Sequence, residues 1–532
     1  KVPGCFQRPH QLLLEGDWGN LQSRAEVGGQ EAPPFVSAAA TEYFMAGNWA
    51  IFSYAAMGGA TADMIQNHGT QEQKDKYVKR IVSGEWGGTM LLTEPQAGTD
   101  VGAIGTSAVK NEDGTYFLTG NKIFITNGEH DLCENIIHPV LARIDGHEAG
   151  TKGISIFIVP KFIVNDDGSL GERNDIWCTG VEEKHGIHGS ATCSMSIGAK
   201  GKCVGYLLGE EKQGMKIMFE MMNHARMATG LQALSYASAS YLLAVNYARE
   251  RIQMKEAVKS FDPDAPSVPI IKHPDVRRNL LWMKALVDGM RSFFYYATMV
   301  GLRAFASEDD KEREKWSGIF ELITPHIKEY LAVKGHEVCI QSMQVYGGAG
   351  YTQDYLPEQY ARDCKICSIY EGCSGVQALD LMGRKLPMKK GRVLMDLMGE
   401  MMQTVSMVKG IDSIKEMAVR LEKAVNRMGE AAMHLGAVAM EGKVNNALAH
   451  SLPFLHAMGD TVMAWMLVWR AAVAAPKIEK ANKKDLAFYE GQVKTAEFFI
   501  NTVLYETYGK YDAIQASCSA AIDISDEGFG GL

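Results

Sequence analysis

Long apolar runs are missing from this chain, and so is any excess of positive charge. No apolar stretch reaches the roughly 18 residues that a membrane-spanning helix needs, and the nearest candidate, residues 461–469, is followed by Arg470. The formal net charge is −9, which disfavours an extended surface for nucleic acid or for an anionic membrane. We therefore expect a soluble protein whose main partner is neither a membrane nor a nucleic acid.

Cysteines are sparse and scattered. Ten of them occur in 532 residues, without the density of a disulfide scaffold. Cys364 and Cys367 form a single C-x-x-C pair with no second pair at zinc spacing. We expect buried thiols in a reducing compartment and no metal site, with metal or redox use of this pair as the alternative.

The periodicity of apolar residues changes twice along the chain, from helical to strand-like near Trp86 and back to helical near Gln213. The chain is also longer than one hydrophobic core usually serves. Together these features predict an α+β multidomain protein with four parts. These are an N-terminal helical domain (1–87), a small β-barrel (88–210), a helical bundle (211–390) and an appended helical domain (391–532). Because Lys1 is not preceded by methionine, we expect the front of the first domain and any targeting signal to lie outside this sequence.

Short strands bounded by glycine and asparagine turns predict the barrel. We expect strands at residues 116–119, 122–126 and 153–159, with 192–197 and 203–208 closing the barrel.

Apolar residues at helical spacing predict long helices over residues 215–251, 276–305 and 316–345. The proline-rich segment 261–269 predicts an exposed, non-helical loop. Heptad-like spacing over 414–428 predicts a packed helix in the appended domain.

One carboxylate stands out by its surroundings. Glu371 follows the apolar Ile369 and Tyr370, while Gly372 and Gly375 leave the adjacent backbone open to a flat ligand. Apolar neighbours raise the pKa of a carboxyl group by desolvation, which suits proton abstraction. The alternative is a solvated loop glutamate.

Four ordered segments carry a resemblance to a known family: residues 91–100 (LLTEPQAGTD), 122–128 (KIFITNG), 344–351 (QVYGGAGY) and 369–372 (IYEG). With them the chain resembles the acyl-CoA dehydrogenase family from residue 1 to about residue 390. The remainder resembles the extra helical domain of longer members, the 3-methylmercaptopropionyl-CoA dehydrogenase-like group.

The resemblance implies a flavoenzyme that removes hydrogens from Cα and Cβ of an acyl-CoA thioester, with FAD as cofactor and Glu371 as base. It further implies electron transfer to an electron-transfer flavoprotein, a homodimer or a dimer of dimers, and a bacterial cytoplasm. The implied cofactor-binding residues are Met90, Leu92, Thr93, Gly98, Thr99, Phe124, Thr126, Arg251, Gln253, Gln344, Gly347, Gly348, Cys373 and Gly375. The implied substrate-binding residues are Thr99, Ser190, Asn223, Arg226, Tyr370 and Gly372.

The chain departs from the family pattern at several positions. Phe124 stands where many members have tryptophan, and Cys373 and Gly375 stand where threonine and glutamine are common. Ala225 occupies the place, just before Arg226, where some members carry the catalytic carboxylate. Glu371 is therefore left as the matched base.

Two alternative functions remain at this level. One is an acyl-CoA oxidase, which passes electrons to oxygen. The other is a nucleic-acid-associated flavoprotein without turnover, which needs a basic tail. Residues 391–532 contain fourteen Lys and Arg against seventeen Asp and Glu, which disfavours the second.

Overall fold

The structure, a computed structural model, describes residues 1–531. The chain divides into two compact units, the first over Lys1–Ala225 and the second from Arg226 onward.

Helices form the beginning of the first unit: α1 (Gln7–Glu15), α2 (Pro34–His68), α3 (Gln71–Gln73) and α4 (Lys79–Val82). Helix α2 starts with Pro34 in its first turn, where the missing N–H removes no helical hydrogen bond. It is broken locally at Asn48 (φ −166°, ψ 100°), whose side-chain oxygen accepts the N–H of Ile51 at 3.0 Å. The expected helical start of the chain is confirmed.

Ten strands follow: β1 (Trp86–Gly88), β2 (Ser107–Lys110), β3 (Tyr116–Thr126), β4 (Asn135–Ile144), β5 (Ile154–Pro160), β6 (Phe162–Val164), β7 (Leu170–Arg173), β8 (Ile176–Val181), β9 (Thr192–Ile197) and β10 (Cys203–Leu207). Five of them pair in the closed order β4, β5, β10, β3, β2 and back to β4. Their inner faces bury Tyr116, Leu118, Val140 and Phe157 almost completely. The predicted small barrel is confirmed.

The way in which the barrel closes differs from the prediction. Strand β10 belongs to the ring, but β9 lies outside it and pairs with β3 and β8. Strand β2 closes the ring instead, by pairing with both β3 and β4. It has four residues and buries only Ala108 of them, so it carries too little alternation for a period-two pattern to reveal it.

Helix α5 (Gly214–Glu250) begins in the first unit and continues in the second. The next helices are α6 (Pro274–Ala306), α7 (Asp310–Tyr346), α8 (Pro357–Lys365) and α9 (Ser374–Asp380). Helices α6 and α7 pack along each other, and α7 is capped by Asp309, whose carboxylate accepts the N–H of Glu312 at 2.9 Å. The three predicted long helices are confirmed.

A small hairpin between α5 and α6 was not predicted. Strands β11 (Ile252–Lys255) and β12 (Ser267–Pro269) pair antiparallel. The chain between them is largely exposed, and the Phe261 ring is fully accessible. The prediction of an exposed, non-helical loop therefore holds for its middle, while its end is a strand.

The appended helices are α10 (Arg392–Lys409), α11 (Lys415–Met440), α12 (Val444–Ala449), α13 (Ser451–Ala474), α14 (Lys483–Asn501), α15 (Val503–Ala516) and α16 (Ala520–Asp523). The heptad-like positions of α11 are buried as predicted, at Met417, Leu421, Val425 and Met428.

A buried carboxylate joins the appended helices to α7. Asp460 on α13 is 0% exposed and accepts hydrogen bonds from Tyr330 of α7 at 2.7 Å and from Thr507 of α15 at 3.1 Å. Lys510 of α15 lies 2.6 Å from the same carboxylate. Because a buried charge is costly without partners, this cluster fixes the three helices relative to one another.

Within residues 1–531 no helix has the length and apolar character to cross a membrane. The same residues contain no group of three or more His, Cys, Asp or Glu arranged to hold a metal ion. Cys364 and Cys367 are buried free thiols, as expected.

Candidate active site

Glu371 lies in a tight turn between a 3-10 turn, Ile366–Ser368, and helix α9. Both Glu371 (φ 56°) and Gly372 (φ 88°) have left-handed backbone conformations. For a residue with a side chain this conformation costs about 1–2 kcal/mol. The surrounding structure must therefore hold Glu371 in place, as is common at functional sites.

Gln377 of α9 supplies that support. Its side-chain nitrogen donates hydrogen bonds to the carbonyl oxygens of Glu371 and Gly372, both at 3.2 Å. A Cβ atom on Gly372 would lie 2.6 Å from the same nitrogen and would displace the Gln377 side chain, and the φ of 88° also favours glycine there. The sequence interpretation missed Gln377, although it follows Glu371 by only six residues.

The Glu371 carboxyl group is partly buried, and its electrostatic surroundings suit a base. Burial raises its pKa above the ordinary value, while the positive charges of Lys328 and Arg226 act in the opposite direction. A carboxylate with a raised pKa accepts a proton more readily near neutral pH.

Arg226 is buried and forms an ion pair with a carboxylate. Its guanidinium lies 3.0 Å from Asp380 of α9, which Arg384 also approaches at 3.4 Å. The structure therefore places Arg226 beside Asp380 and within electrostatic range of Glu371. Its role in substrate binding stays a prediction.

Tyr370 is tied to helix α5 through its hydroxyl group. The hydroxyl donates to the side-chain oxygen of Gln232 on α5, and burial raises the pKa of this phenol well above its usual range. The bond fixes the residue immediately before Glu371.

Cys373 and Gly375 lie on the open side of the turn. Cys373 occupies the residue before α9, and its side chain makes no capping bond. Cys373 and Gly375 are both exposed, and a Cβ atom on Gly375 would meet nothing within 4 Å. Packing within the protein thus does not require glycine at 375, and the free space suits a flat ligand.

In the first unit, residues 90–94 run along the barrel. Leu91 is buried and exchanges backbone hydrogen bonds with β4, to Pro139 at 2.9 Å and from Leu141 at 3.1 Å. Leu92 and Thr93, like Met90, remain partly accessible, whereas Gly98 and Thr99 are exposed.

A buried ion pair fixes this segment, and sequence interpretation missed it. Lys122 of β3 donates to Glu94 at 2.8 Å, to the carbonyl oxygen of Leu92 at 3.1 Å and to that of Leu141 at 2.9 Å. Glu94 also accepts the backbone N–H of Gly105 at 2.6 Å. Glu94 and Lys122 both lie in segments that carry the family resemblance, and this was the one feature of the sequence that could have pointed to the pair.

Burial affects both members of the pair. Burial lowers the pKa of Lys122 to about 8 although Glu94 opposes the shift. Burial by itself would raise the pKa of Glu94. The charge and hydrogen bond of Lys122, together with hydrogen bonds from Thr106 and Gly105 to the Glu94 carboxylate, have the larger combined effect and lower the pKa of Glu94 to about 2. The pair is therefore ionised at neutral pH.

Phe124 combines exposure with an unusual backbone. Its side chain is 59% exposed and its φ is 60°. Because Phe124 and Thr126 are two residues apart in a predicted strand, the sequence predicts that they share one face. The regular alternation of β3 is interrupted there, because β3 bulges between Lys122 and Ile125 where it pairs with β9. An exposed aromatic ring on a left-handed residue fits a face against which a flat ring packs.

Two predicted substrate residues also belong to the first unit. Ser190 is buried, and its hydroxyl lies 3.5 Å from the side-chain oxygen of Asn127. Asn223 is exposed on α5. Substrate binding by these two residues stays a prediction.

Five of the predicted cofactor-binding residues of the second unit lie near the ends of α5 and α7. Tyr247 of α5 stacks on Tyr346 of α7 with ring centroids 4.0 Å apart, which brings the two ends together. The predicted residues there are all exposed: Arg251, Gln253, Gln344, Gly347 and Gly348. Cβ atoms on either glycine would meet nothing within 4 Å, so open space lies beside them.

Comparison with known families covers nearly the whole chain. The acyl-CoA dehydrogenase N-terminal domain matches residues 6–85, its middle domain 89–198 and its C-terminal domain 212–386. A fourth match, described as acetyl-CoA dehydrogenase C-terminal like, covers 397–525.

Individual proteins similar to this chain carry acyl-CoA dehydrogenase names, in agreement with the domain matches. The chain is 36% identical over 516 residues to the broad-specificity linear acyl-CoA dehydrogenase FadE5 of Mycobacterium tuberculosis, covering 94% of this chain and 84% of that protein. It is 36% identical over 515 residues to the 3-methylmercaptopropionyl-CoA dehydrogenase of Ruegeria pomeroyi, covering 96% and 86%.

Among solved structures, one described as an electron transferring flavoprotein of Acidaminococcus fermentans, in work on flavin-based electron bifurcation, contains a similar chain. The likeness has a TM-score of 0.57 and 27% identity, and it covers 70% of this chain and 88% of that one. With four consecutive domain matches and relatives aligned over almost its full length, this chain belongs to the acyl-CoA dehydrogenase family.

Proposed function

We propose that this protein catalyses the FAD-dependent α,β-dehydrogenation of an acyl-CoA thioester to the 2-enoyl-CoA. The observation that carries the proposal is Glu371, a carboxylate with a pKa raised by burial on a strained turn. Strain and desolvation are retained where chemistry needs them. The relatives aligned over most of the chain are named as acyl-CoA dehydrogenases.

The residues present fit FAD. Phe124 offers an exposed ring, and the partly accessible Thr93 lies beside the same stretch of β3, since its carbonyl oxygen accepts the N–H of Ile123 at 2.9 Å. For the FAD of a neighbouring subunit, Arg251 supplies a permanent positive charge suited to a pyrophosphate, with open backbone at Gly347 and Gly348. When bound, FAD accepts the hydride that leaves the substrate Cβ.

The chain itself performs the proton step. The Glu371 carboxylate takes the proton from Cα, and its own backbone N–H is assigned to the thioester oxygen, where negative charge develops. Preorganised donors of this kind stabilise such charge by several kcal/mol. Gln377 holds the turn through both carbonyl groups, so the carboxylate and the N–H keep a fixed orientation.

The proposed assembly is a homodimer or a dimer of dimers in which an exposed group of residues binds the FAD of a neighbouring subunit. The group consists of Arg251, Gln253, Gln344, Gly347 and Gly348. All five residues are exposed in the single chain, so they are accessible to a cofactor bound by a second copy, and this supports the proposed assembly.

An electron-transfer flavoprotein is the proposed electron acceptor. The solved relative from Acidaminococcus fermentans supports it, because that structure is described as an electron transferring flavoprotein. The proposed location is the bacterial cytoplasm, and the bacterial origin of the relatives supports it. We also propose that the chain has four domains, with boundaries at residues 87, 210 and 390.

The test is the visible spectrum of the purified full chain under anaerobic conditions, recorded before and after adding linear, branched, aromatic and sulfur-containing acyl-CoA thioesters one at a time. We expect an oxidised flavin band that one class of thioester bleaches, and bleaching that is slower by about 10²-fold or more in Glu371→Gln. A flavin band that no thioester bleaches contradicts the proposed reaction, and the absence of flavin contradicts the cofactor. Reoxidation by electron-transfer flavoprotein rather than by oxygen separates a dehydrogenase from an oxidase.

A further inference from the structure

Two neighbouring residues of helix α2, Ser53 and Tyr54, hydrogen-bond to segments of the barrel domain. Both residues are almost completely buried. The hydroxyl group of Ser53 accepts the side-chain N–H of Asn127 at 3.2 Å and donates to the carbonyl oxygen of Ala50 at 3.0 Å. Ser53 therefore ties the residue that follows β3 to the backbone of α2.

The hydroxyl group of Tyr54 holds a second segment, the loop that leads into β9. It donates to the carbonyl oxygen of Gly189 at 3.1 Å and accepts the backbone N–H of Ala191 at 2.9 Å. Burial raises the pKa of Tyr54 to about 12, so the phenol keeps the proton that it donates. One hydroxyl group thus fixes the peptide groups on both sides of Ser190.

The ring of Tyr54 is itself held by two other rings. Its centroid lies 4.9 Å from that of His130 and 6.3 Å from that of Phe6, and both contacts are edge-to-face. Aromatic rings prefer this arrangement to a face-to-face stack. The Tyr54 hydroxyl is therefore a fixed point for the loop that it holds.

Both tethers converge on Thr126, the last residue of β3. Asn127 follows Thr126 in the chain, and Thr192 pairs with Thr126 across the sheet, next to the residue whose N–H Tyr54 accepts. Thr126 is thus fixed along the chain through Ser53 and across the sheet through Tyr54. Thr126 itself remains partly accessible, as contact with a ligand requires.

The end of β3 depends on support of this kind. The strand bulges between Lys122 and Ile125 where it pairs with β9, and Phe124 within the bulge has a φ of 60°. A bulge leaves a residue out of the regular ladder and bends the strand. Contacts outside the ladder therefore help to orient the residues that follow the bulge.

We infer that Ser53 and Tyr54 are positioning residues for the flavin: these two hydroxyl groups of α2 hold Thr126 where its side chain can hydrogen-bond to bound FAD. The inference rests on the proposed function for the role of Thr126. It adds two residues of the helical domain that neither the strand pattern nor the family resemblance pointed to.

The first test follows the tethers themselves. Tyr54→Phe and Ser53→Ala each remove one hydroxyl group and leave the rest of the side chain in place. Hydrogen exchange of the purified full chain, followed by mass spectrometry, should be faster at residues 124–128 in both variants than in the unaltered protein, because local opening becomes easier.

Each variant has a matched control that removes a buried hydroxyl group elsewhere. Tyr116→Phe removes one at the start of β3 that donates to Glu211 at 3.1 Å. Ser37→Ala removes one on α2 that accepts the side-chain N–H of Gln22 at 3.0 Å. Both controls should leave exchange at residues 124–128 and FAD binding unchanged.

The second test measures the cofactor without turnover. In Tyr54→Phe and in Ser53→Ala the dissociation constant of FAD, measured by flavin fluorescence, should rise about fivefold or more, the effect of losing one hydrogen bond. The visible absorption band of the bound flavin should also move, because its hydrogen bonding changes. Loss of fold stability alone would lower the free energy of unfolding and leave the position of that band unchanged.

Unchanged FAD affinity and an unchanged band in both variants would overturn the inference and leave the proposed function standing. Weaker FAD binding without faster exchange at residues 124–128, or equal losses in the variants and their controls, would overturn it as well. If the variants behave as expected but no thioester reduces the flavin of the unaltered protein, the proposed reaction is rejected and the inference is retained. An unaltered full chain that binds no FAD would reject both.

Discussion

The ammonium nitrogen of Lys122 lies 2.8 Å from a carboxylate oxygen of Glu94, and neither side chain is more than 3% exposed. The same nitrogen holds the carbonyl oxygens of Leu92 and Leu141. One side chain therefore ties the segment around Leu92 to two barrel strands.

Breaking this pair should destabilise the protein. Glu94→Gln leaves the Lys122 charge buried without a counter-ion, and the free energy of unfolding should fall by about 3–5 kcal/mol. Denaturant unfolding of the full chain, followed by far-UV circular dichroism, measures the loss. Glu94→Gln combined with Lys122→Met should regain a large part of it, and a double variant as unstable as the single one would contradict this account.

Acid should act on the same pair. Glu94 has a pKa of about 2 in the folded protein against an ordinary 4.5, so its ionised form favours folding. Its contribution of about 3 kcal/mol is complete above pH 4.5 and is lost as the pH falls from 4.5 through 2. Melting temperatures across this window should fall more steeply for the unaltered protein than for Glu94→Gln, and parallel curves would exclude this assignment.

Glu371→Gln should retain FAD and lose turnover. The amide keeps the size of the side chain but cannot take a proton, so kcat should fall by about 10² to 10⁴. The measurement is single-turnover reduction of the bound flavin by a thioester that bleaches the unaltered protein. Retention of more than about a tenth of the activity would exclude Glu371 as the base.

Gln377→Met should impair the turn without removing the base. Loss of the two bonds at 3.2 Å to Glu371 and Gly372 frees a left-handed residue to relax, and kcat should fall by up to about 10²-fold. Gln359→Met, which removes an amide bonded to Asp363 at 3.3 Å on α8, is the matched control and should change kcat little. Equal losses in both variants would point to general destabilisation.

Phe124→Gly should separate flavin binding from stability. Glycine adopts φ 60° freely, so the unfolding free energy of the flavin-free protein should stay equal or rise by about 1 kcal/mol. Loss of the ring should weaken FAD binding about tenfold or more, measured by flavin fluorescence. Phe117→Gly, on the same strand with ordinary backbone, should instead lower stability and leave FAD binding unchanged.

Periodicity predicted the barrel and the long helices because these elements bury regular faces. It could not predict the Lys122 to Glu94 pair, since the partners are 28 residues apart and alternation reports only which face a residue occupies. The left-handed conformation of Phe124 was equally hidden, because a bulge breaks the alternation on which the interpretation relied.

The turn at Glu371 was predictable in part. The glycines beside it indicated an open backbone, and Gly372 does require its positive φ. The support from Gln377 and the nearby charge of Lys328 depend on how α9 and α7 pack against the turn, and no local pattern in the sequence contains that information.

Asp460 makes helix α7 depend on the appended helices for its packing. Its carboxylate accepts the hydrogen bond of the Tyr330 hydroxyl, two residues after Lys328 on the same helix. A shortened gene ending before α10 would leave that tyrosine facing water on an apolar flank made for α13. The later helices thus cannot be treated as a detachable accessory, and a minimal version of this enzyme would need a redesigned α7 surface.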